Sequence, residues 1–266
     1  MKTALTIGGS DSSGGAGIEG DLKTFGVLNV FGMTAITAVT AQNTLGIKGT
    51  TEISPEMVRQ QIETVAGDIQ VDACKTGMLV SGAIVEAVAE AIKGSKLQPY
   101  VCDPVMFSRG GEELLKADGV EQMRRKLFPL ATVITPNLRE TARLTGIDER
   151  MLRTVPAAKD AAKRLLADGA KAVVIKALEA GDQIVDLFFD GKEFLEFAQK
   201  AQPKEKTHGS GSVFSAAIAA GLANRLNLVD AIDQAKQVVT MAIQYSDGQG
   251  RGTAPVNVLA FAPKKK

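Results

Sequence analysis

Short apolar runs, each stopped by Gly, Pro or polar residues and then followed by helical spacing, recur from residue 3 to residue 176 of this chain. A strand buried on both faces reads as a continuous apolar run, and laying the next strand parallel to it takes a crossover helix. The alternation therefore dictates a largely parallel sheet covered by helices on both faces, an α/β fold. Expected strands lie at 3–8, 31–39, 72–78, 100–106, 131–135 and 172–176. Helices are expected at 18–28, 84–93 and 140–144, and from the Ser54-Pro55 and Val155-Pro156 starts to 68 and 168. Segments 184–189 and 193–197 flank Asp190-Gly191, a hairpin signal, and helices over 212–224 and 228–245 close the chain. Residues 41–46 read as a turn, and 107–113, polar and Gly-broken, as a candidate mobile lid. No linker or internal repeat interrupts this order, so one domain over 1–266 is expected.

With 45% hydrophobic residues in 266, the chain can bury a large core. Its formal charge of +1 gives no electrostatic argument for nucleic acid or an anionic membrane as partner. Lys264-Lys265-Lys266 reads as a solvated tail. Cys74 and Cys102 sit in apolar runs, as buried free thiols do, and form neither a disulfide framework nor a zinc pattern. No segment reaches membrane-spanning length and no basic, apolar leader opens the chain, so a cytoplasmic protein is expected.

Ligands of such sheets bind beyond the carboxyl ends of the strands. Asp11, Gln42, Lys75, Asp103, Asn137, Lys176 and the loop at Gly209 all fall there. Singly, each is an ordinary cap or turn residue; their gathering at one edge points to a site. The stretch Thr207-His208-Gly209-Ser210-Gly211-Ser212 breaks the chain just before an apolar helix. Such a turn aims several backbone N–H groups, with the positive end of the helix dipole behind them, at one point. A phosphate, or charge building on a phosphoryl group in flight, is stabilised there. No Gly-x-x-x-x-Gly-Lys-Ser/Thr pattern is present. Gly14-Gly15-Ala16-Gly17 is out of register for a dinucleotide fingerprint, which puts phosphoryl transfer ahead of hydride transfer.

Six motifs occur in order between Thr3 and Asn257: Gly9-Ser10-Asp11-Ser12-Ser13-Gly14-Gly15-Ala16-Gly17-Ile18 with Asp21-Leu22-Lys23-Thr24-Phe25; Thr37-Ala38-Val39-Thr40-Ala41-Gln42-Asn43-Thr44-Leu45-Gly46; Lys75-Thr76-Gly77-Met78-Leu79; Asp103-Pro104-Val105-Met106; Thr135-Pro136-Asn137-Leu138 with Glu140; and Thr207-His208-Gly209-Ser210-Gly211. Together they resemble the hydroxymethylpyrimidine/phosphomethylpyrimidine kinases of thiamine synthesis. That family belongs to the ribokinase-like superfamily and is similar to bacterial pyridoxal kinase.

The resemblance implies a ribokinase-like three-layer α/β/α fold with a mostly parallel central sheet, ATP and Mg²⁺ as cofactors, and a homodimer to which 31–39 would contribute. The apolar run 31–39 suits a dimer interface and burial within the monomer equally. The resemblance also implies phosphorylation of 4-amino-5-hydroxymethyl-2-methylpyrimidine and its monophosphate. The alternatives are a pyridoxal or pyridoxine kinase, or a weakly catalytic ligand-binding paralogue. Gln42 would hydrogen-bond the ring, Asp11 would sit beside it, and Met78 and Val105, otherwise core residues, would line its pocket. Asp103, Asn137 and Glu140 would hold Mg²⁺, hard oxygen ligands suiting that ion. Lys176, Asn137 and Thr207 would contact the nucleotide, with Gly209, Ser210 and Gly211 forming the anion cradle. His208, the lone histidine, is assigned a structural role in the turn.

Two departures stand out. Ser212 occupies a position where the family usually has Cys, and a serine hydroxyl is a poor base at neutral pH, though able to orient the acceptor hydroxyl. Weakened or redirected activity is expected from it. Lys176 is followed by Ala177-Leu178-Glu179 where the family tends to have Gly-Gly-His, which limits backbone freedom beside the nucleotide site.

Overall fold

The computed structural model describes residues 1–202 and 207–262; the Lys264-Lys265-Lys266 tail lies outside the described residues. Nine strands form one sheet in the order β3-β2-β1-β4-β5-β6-β7-β8-β9. They are β1 Lys2–Gly9, β2 Val30–Asn43, β3 Gly46–Glu52, β4 Ala73–Thr76, β5 Tyr100–Cys102, β6 Val133–Ile134, β7 Val173–Ala180, β8 Gln183–Phe189 and β9 Phe194–Lys200. The run from β2 through β1, β4, β5 and β6 to β7 is parallel, and β3, β8 and β9 add antiparallel edges.

Among the described residues, eight α-helices cover the sheet: α1 Gly17–Val27, α2 Pro55–Asp68, α3 Gly82–Gly94, α4 Ala117–Gln122, α5 Leu138–Thr145, α6 Val155–Ala167, α7 Ser210–Ala223 and α8 Leu228–Gln244. One core packs α2, α3, α5 and α6 on one face through residues such as Ile62, Val88, Leu144 and Leu165. A second packs α1, α7 and α8 on the other through Phe25, Ile218 and Ile232. This is the three-layer α/β/α architecture that the resemblance implies. Among the described residues, no helix is long and apolar enough to cross a membrane.

Helix α7 is buried on every side from Val213 to Gly221. Its small residues allow this: a Cβ at Gly221 would lie 2.9 Å from Cβ of Ala231 on α8. The helix thus runs beneath the sheet and ends its N-terminus at the sheet's carboxyl edge. Ser54 caps α2 through a bond from the Met57 amide at 3.3 Å, as the Ser-Pro start predicts.

Three expectations need correction. The turn expected over 41–46 narrows to Thr44 and Leu45: β2 runs on to Asn43, a shift of register falls between Ala41 and Gln42, and β3 returns from Gly46. Nearly all of β3 is exposed at the sheet edge, so its sequence carries no buried period to read. The strand expected at 172–176 continues to Ala180 across a bulge between Ile175 and Leu178. Helix α4 was not anticipated at all; only Gly119 of its six residues is buried, too few to set a pattern.

Candidate active site

Strand order reverses about β1, with β2 on one side and β4 on the other, and open α/β sheets bind ligands at such a switch point. A cavity of about 470 Å³ opens there, beyond the carboxyl ends of the parallel strands. Asp11, Gln42, Met78, Asp103, Val105, Asn137, Glu140, Lys176, Gly209, Gly211 and Ser212 all line it. Residues from opposite ends of the chain are therefore brought to one wall.

Two Gly-rich turns form part of that wall by locking together. Gly209, the N-cap of α7, has φ +81°, and a Cβ there would fall 1.8 Å from the carbonyl oxygen of Gly15. His208 Nε2 lies 2.8 Å from Asp11 Oδ2. Asp11 also accepts from the amides of Ser13 and Ala16, both at 2.9 Å, and from Ser13 Oγ at 2.7 Å. Burial raises the Asp11 carboxyl, but the bonds from His208 and Ser13 outweigh it and bring the pKa down to about 2. Asp11, placed beside the substrate on sequence grounds, thus stands in the cavity wall with its carboxylate engaged by the loop. His208 ties the two turns together, consistent with a structural role.

The mouth of α7 is shaped for an anion. Val213 N–H donates to Gly209 O at 3.0 Å, the first bond of the helix. The Ser210 amide turns back to Thr207 O at 3.2 Å, which leaves the Gly211 and Ser212 amides without an intrahelical acceptor. Ser210 and Thr207 accordingly fall outside the cavity wall, whereas Gly209, Gly211 and Ser212 are in it. Ser212 Oγ accepts from the Gly17 amide at the start of α1, at 3.3 Å.

Opposite this mouth sits a buried charge cluster. Lys176 Nζ donates to Asp103 Oδ1 at 2.8 Å and lies 3.5 Å from where a Gly211 Cβ would be. Asp103 further accepts from Thr135 Oγ1 and Ser215 Oγ, each at 3.0 Å. Burial disfavours the Lys176 charge, but Asp103 and Glu140 more than compensate, raising its pKa and keeping it cationic. Burial pushes Glu140 up to about 7, Lys176 opposing and Asp103 adding to the rise. Glu140 and Asn137 form a capping box at the start of α5, with bonds of 2.8 and 2.9 Å in the two directions. Also in the cavity lining, Lys75 Nζ pairs with Asp21 Oδ1 at 2.9 Å, both side chains all but fully buried.

Elsewhere in the cavity wall, Gln42 Oε1 accepts from Thr40 Oγ1 at 3.3 Å, and Met78 and Val105 are half-buried. Segment 107–113 is a tight turn rather than an open loop. Phe107 bridges Glu113, the Ser108 amide donates to Glu112 O at 2.8 Å, and the Arg139 guanidinium sits 3.9 Å over the Phe107 ring.

Sequence reading missed Thr135, Ser215 and Asp21. Ser215, a hydroxyl within the apolar run of α7, is the available signal; Thr135 and Asp21 stand inside the motifs quoted above, but a motif does not say which partner a side chain meets.

The comparisons agree with this geometry. The phosphomethylpyrimidine kinase family model matches residues 11–257. The chain is 42% identical to hydroxymethylpyrimidine/phosphomethylpyrimidine kinase of Bacillus subtilis, over 97% of this chain and 95% of that protein. It is also 42% identical, over 98% of its length, to the thiamine biosynthesis bifunctional protein ThiED of Geobacter sulfurreducens, of which it spans 53%. Among solved structures, the ADP complex of Bacillus subtilis pyridoxal kinase superposes with a TM-score of 0.88 at 40% identity, covering 98% of each chain. A cation, a buried acid and a helix mouth meeting in one cavity are what a phosphoryl-transfer enzyme requires, and on these matches the chain belongs to the phosphomethylpyrimidine kinase family.

Proposed function

We propose that this protein transfers the terminal phosphoryl group of ATP to the hydroxymethyl group of 4-amino-5-hydroxymethyl-2-methylpyrimidine, and to the phosphate of its monophosphate. The observation that carries this is the convergence of Lys176 Nζ, Asp103 and the first turn of α7 within one cavity that also holds Gln42. The Gln42 side-chain amide, one donor group and one acceptor, matches the paired donor and acceptor of an aminopyrimidine. Met78 and Val105 cover the ring. The Gly211 and Ser212 amides and the Lys176 ammonium receive the charge that develops on the transferred group, and Ser212 Oγ orients the acceptor hydroxyl. Thr207 and Asn137 flank the nucleotide, and 107–113 covers the ring side.

Among the described residues, no three His, Cys, Asp or Glu side chains gather to hold a metal. Mg²⁺ needs no such cage, because one or two carboxylates plus waters and substrate phosphates complete its shell. Asp103 and Glu140 fit that donor set: both line the cavity, and each carboxylate has about four lone-pair sites, not all taken by its protein donors. The Asn137 side-chain oxygen accepts one bond, from the Glu140 amide in the cap on α5, and keeps a second lone pair, so it fits the donor set too. Asp103 and Glu140 would hold Mg²⁺, which would supply positive charge to neutralise the phosphates, while Lys176 stays beside Asp103.

Pyridoxal is the second acceptor, favoured by the likeness to pyridoxal kinase. An ADP-release assay with each ring compound decides: turnover of the pyrimidine above pyridoxal, abolished without Mg²⁺, is expected. Binding with no turnover of either would leave a ligand-binding paralogue, and activity independent of Mg²⁺ would remove the metal assignment. In the same assay Ser212→Cys is expected to raise kcat about tenfold or more, since a thiol at a helix N-terminus ionises readily and a positioned base contributes at least ~10²-fold. An unchanged rate would move the limitation to the Lys176–Ala177 segment.

For the assembly we favour a homodimer. Phe31 and Val39 on β2, with Met57 on α2, expose about half of their large apolar side chains (52%, 49% and 48%). A monomer in sedimentation equilibrium at micromolar concentration would remove this assignment. Cys74 and Cys102 are buried free thiols, in keeping with a cytoplasmic location.

A further inference from the structure

One buried ion pair has no part in the chemistry above. Lys236 Nζ on α8 lies 2.9 Å from Asp186 Oδ2 on β8, and both side chains are only 7% exposed. Such a pair carries a heavy desolvation cost, and apolar residues of similar size often replace one without loss of stability. Its placement suggests a different use. The other Asp186 oxygen, Oδ1, accepts from the Ala177 amide at 2.8 Å. Ala177 has φ +64°, in the left-handed region where a Cβ is unfavourable, and it occupies the bulge at which β7 and β8 lose register. With no ladder partner on β8 at this point, that amide takes the Asp186 carboxylate as its acceptor. The residue immediately before it is Lys176.

We propose that Asp186, itself held by Lys236, is a positioning residue that clamps the left-handed bulge at Ala177 and so aims Lys176 at Asp103 and the phosphoryl path. The inference rests on the kinase reading for its rate effect, but its structural part stands apart from that reading. A residue chosen for conformational freedom would be Gly; with Ala at 177, the backbone conformation depends on the fixed acceptor. The carboxylate of Asp186 makes a strong acceptor for that bond, and Lys236 holds it in place from the other oxygen.

Two double variants isolate the acceptor. D186N/K236M keeps an oxygen for the Ala177 amide without the charges, and D186L/K236M fills the space with apolar groups and no acceptor. D186L/K236M is expected to lose about tenfold or more in kcat, as supporting partners of functional groups typically do, with KM for the ring compound within about threefold. D186N/K236M is expected to keep kcat within about threefold of the parent. A structural role alone would lower both melting temperatures without separating the two in kcat; equal kcat values in folded protein overturn the proposal. Crystal structures give a readout independent of turnover. Lys176 Nζ withdrawn from Asp103 in D186L/K236M supports the clamp, and an unchanged bulge and contact overturn it, even if the parent phosphorylates neither ring compound. Should neither variant fold, amide exchange in the parent decides. Protection of the Ala177 amide comparable to the core of β8 supports the clamp, and exchange at a loop rate overturns it.

Discussion

Lys176→Met is expected to lower kcat by about 10²- to 10³-fold, the range seen when one preorganised donor to a transition-state charge is removed. Methionine matches the length of lysine without its charge. The variant therefore removes an ammonium that lies both 2.8 Å from Asp103 and beside the first turn of α7. Its loss also strands Asp103, 2% exposed, without its cation, and breaking a buried pair in this way costs about 3 kcal/mol or more. The two effects are separable. Denaturant unfolding reads the second, and kcat measured well below the melting temperature, with saturating ATP, reads the first. A folded Lys176→Met enzyme with kcat within tenfold of the parent would show that the transferring phosphate does not meet this side chain.

The second large effect is expected from Gly209→Ala. The new Cβ would sit 1.8 Å from Gly15 O, a backbone atom, at φ +81°. Either α7 shifts or the turn at 14–17 does, and each movement pulls Gly211 and Ser212 from their places opposite Lys176. A displacement of about 1 Å is worth about 10²-fold in rate. A stability loss of about 3 kcal/mol or more is expected alongside it, since strain in a fixed turn is among the mechanisms that produce large losses. Gly211→Ala is the control, because its Cβ would meet only Lys176 Nζ at an ordinary 3.5 Å. That variant should fold as the parent does and show its effect in ATP affinity. Equal melting temperatures and rates for the two alanine variants would mean that the interlocked turns are not what sets the helix mouth.

The sequence by itself determined the layered architecture and most of the polar residues that meet at the cavity. A parallel strand must be apolar throughout, and a ligand site must draw on the polar residues where those runs stop; both leave marks that single-residue reading detects. Asp103 after β5, Asn137 after β6 and the Gly-rich entry to α7 were legible for that reason. Edge strand β3 and helix α4 left no such mark, because almost none of their residues is buried.

What only the tertiary structure decided is which polar group faces which. Asp11 lies 197 residues from His208 and bonds to it, and Asp103 gathers Thr135, Lys176 and Ser215 from three separate elements. Local pattern records whether a position is buried or capped, but not its partner across the sheet. Those partnerships turned Asp11 into a loop fastener and exposed a load on Ala177 that the chain's own order does not reveal. Partner choice depends on strand order, on the crossing of α7 beneath the sheet and on a bulge in β7, and these arise from the packing of the whole molecule.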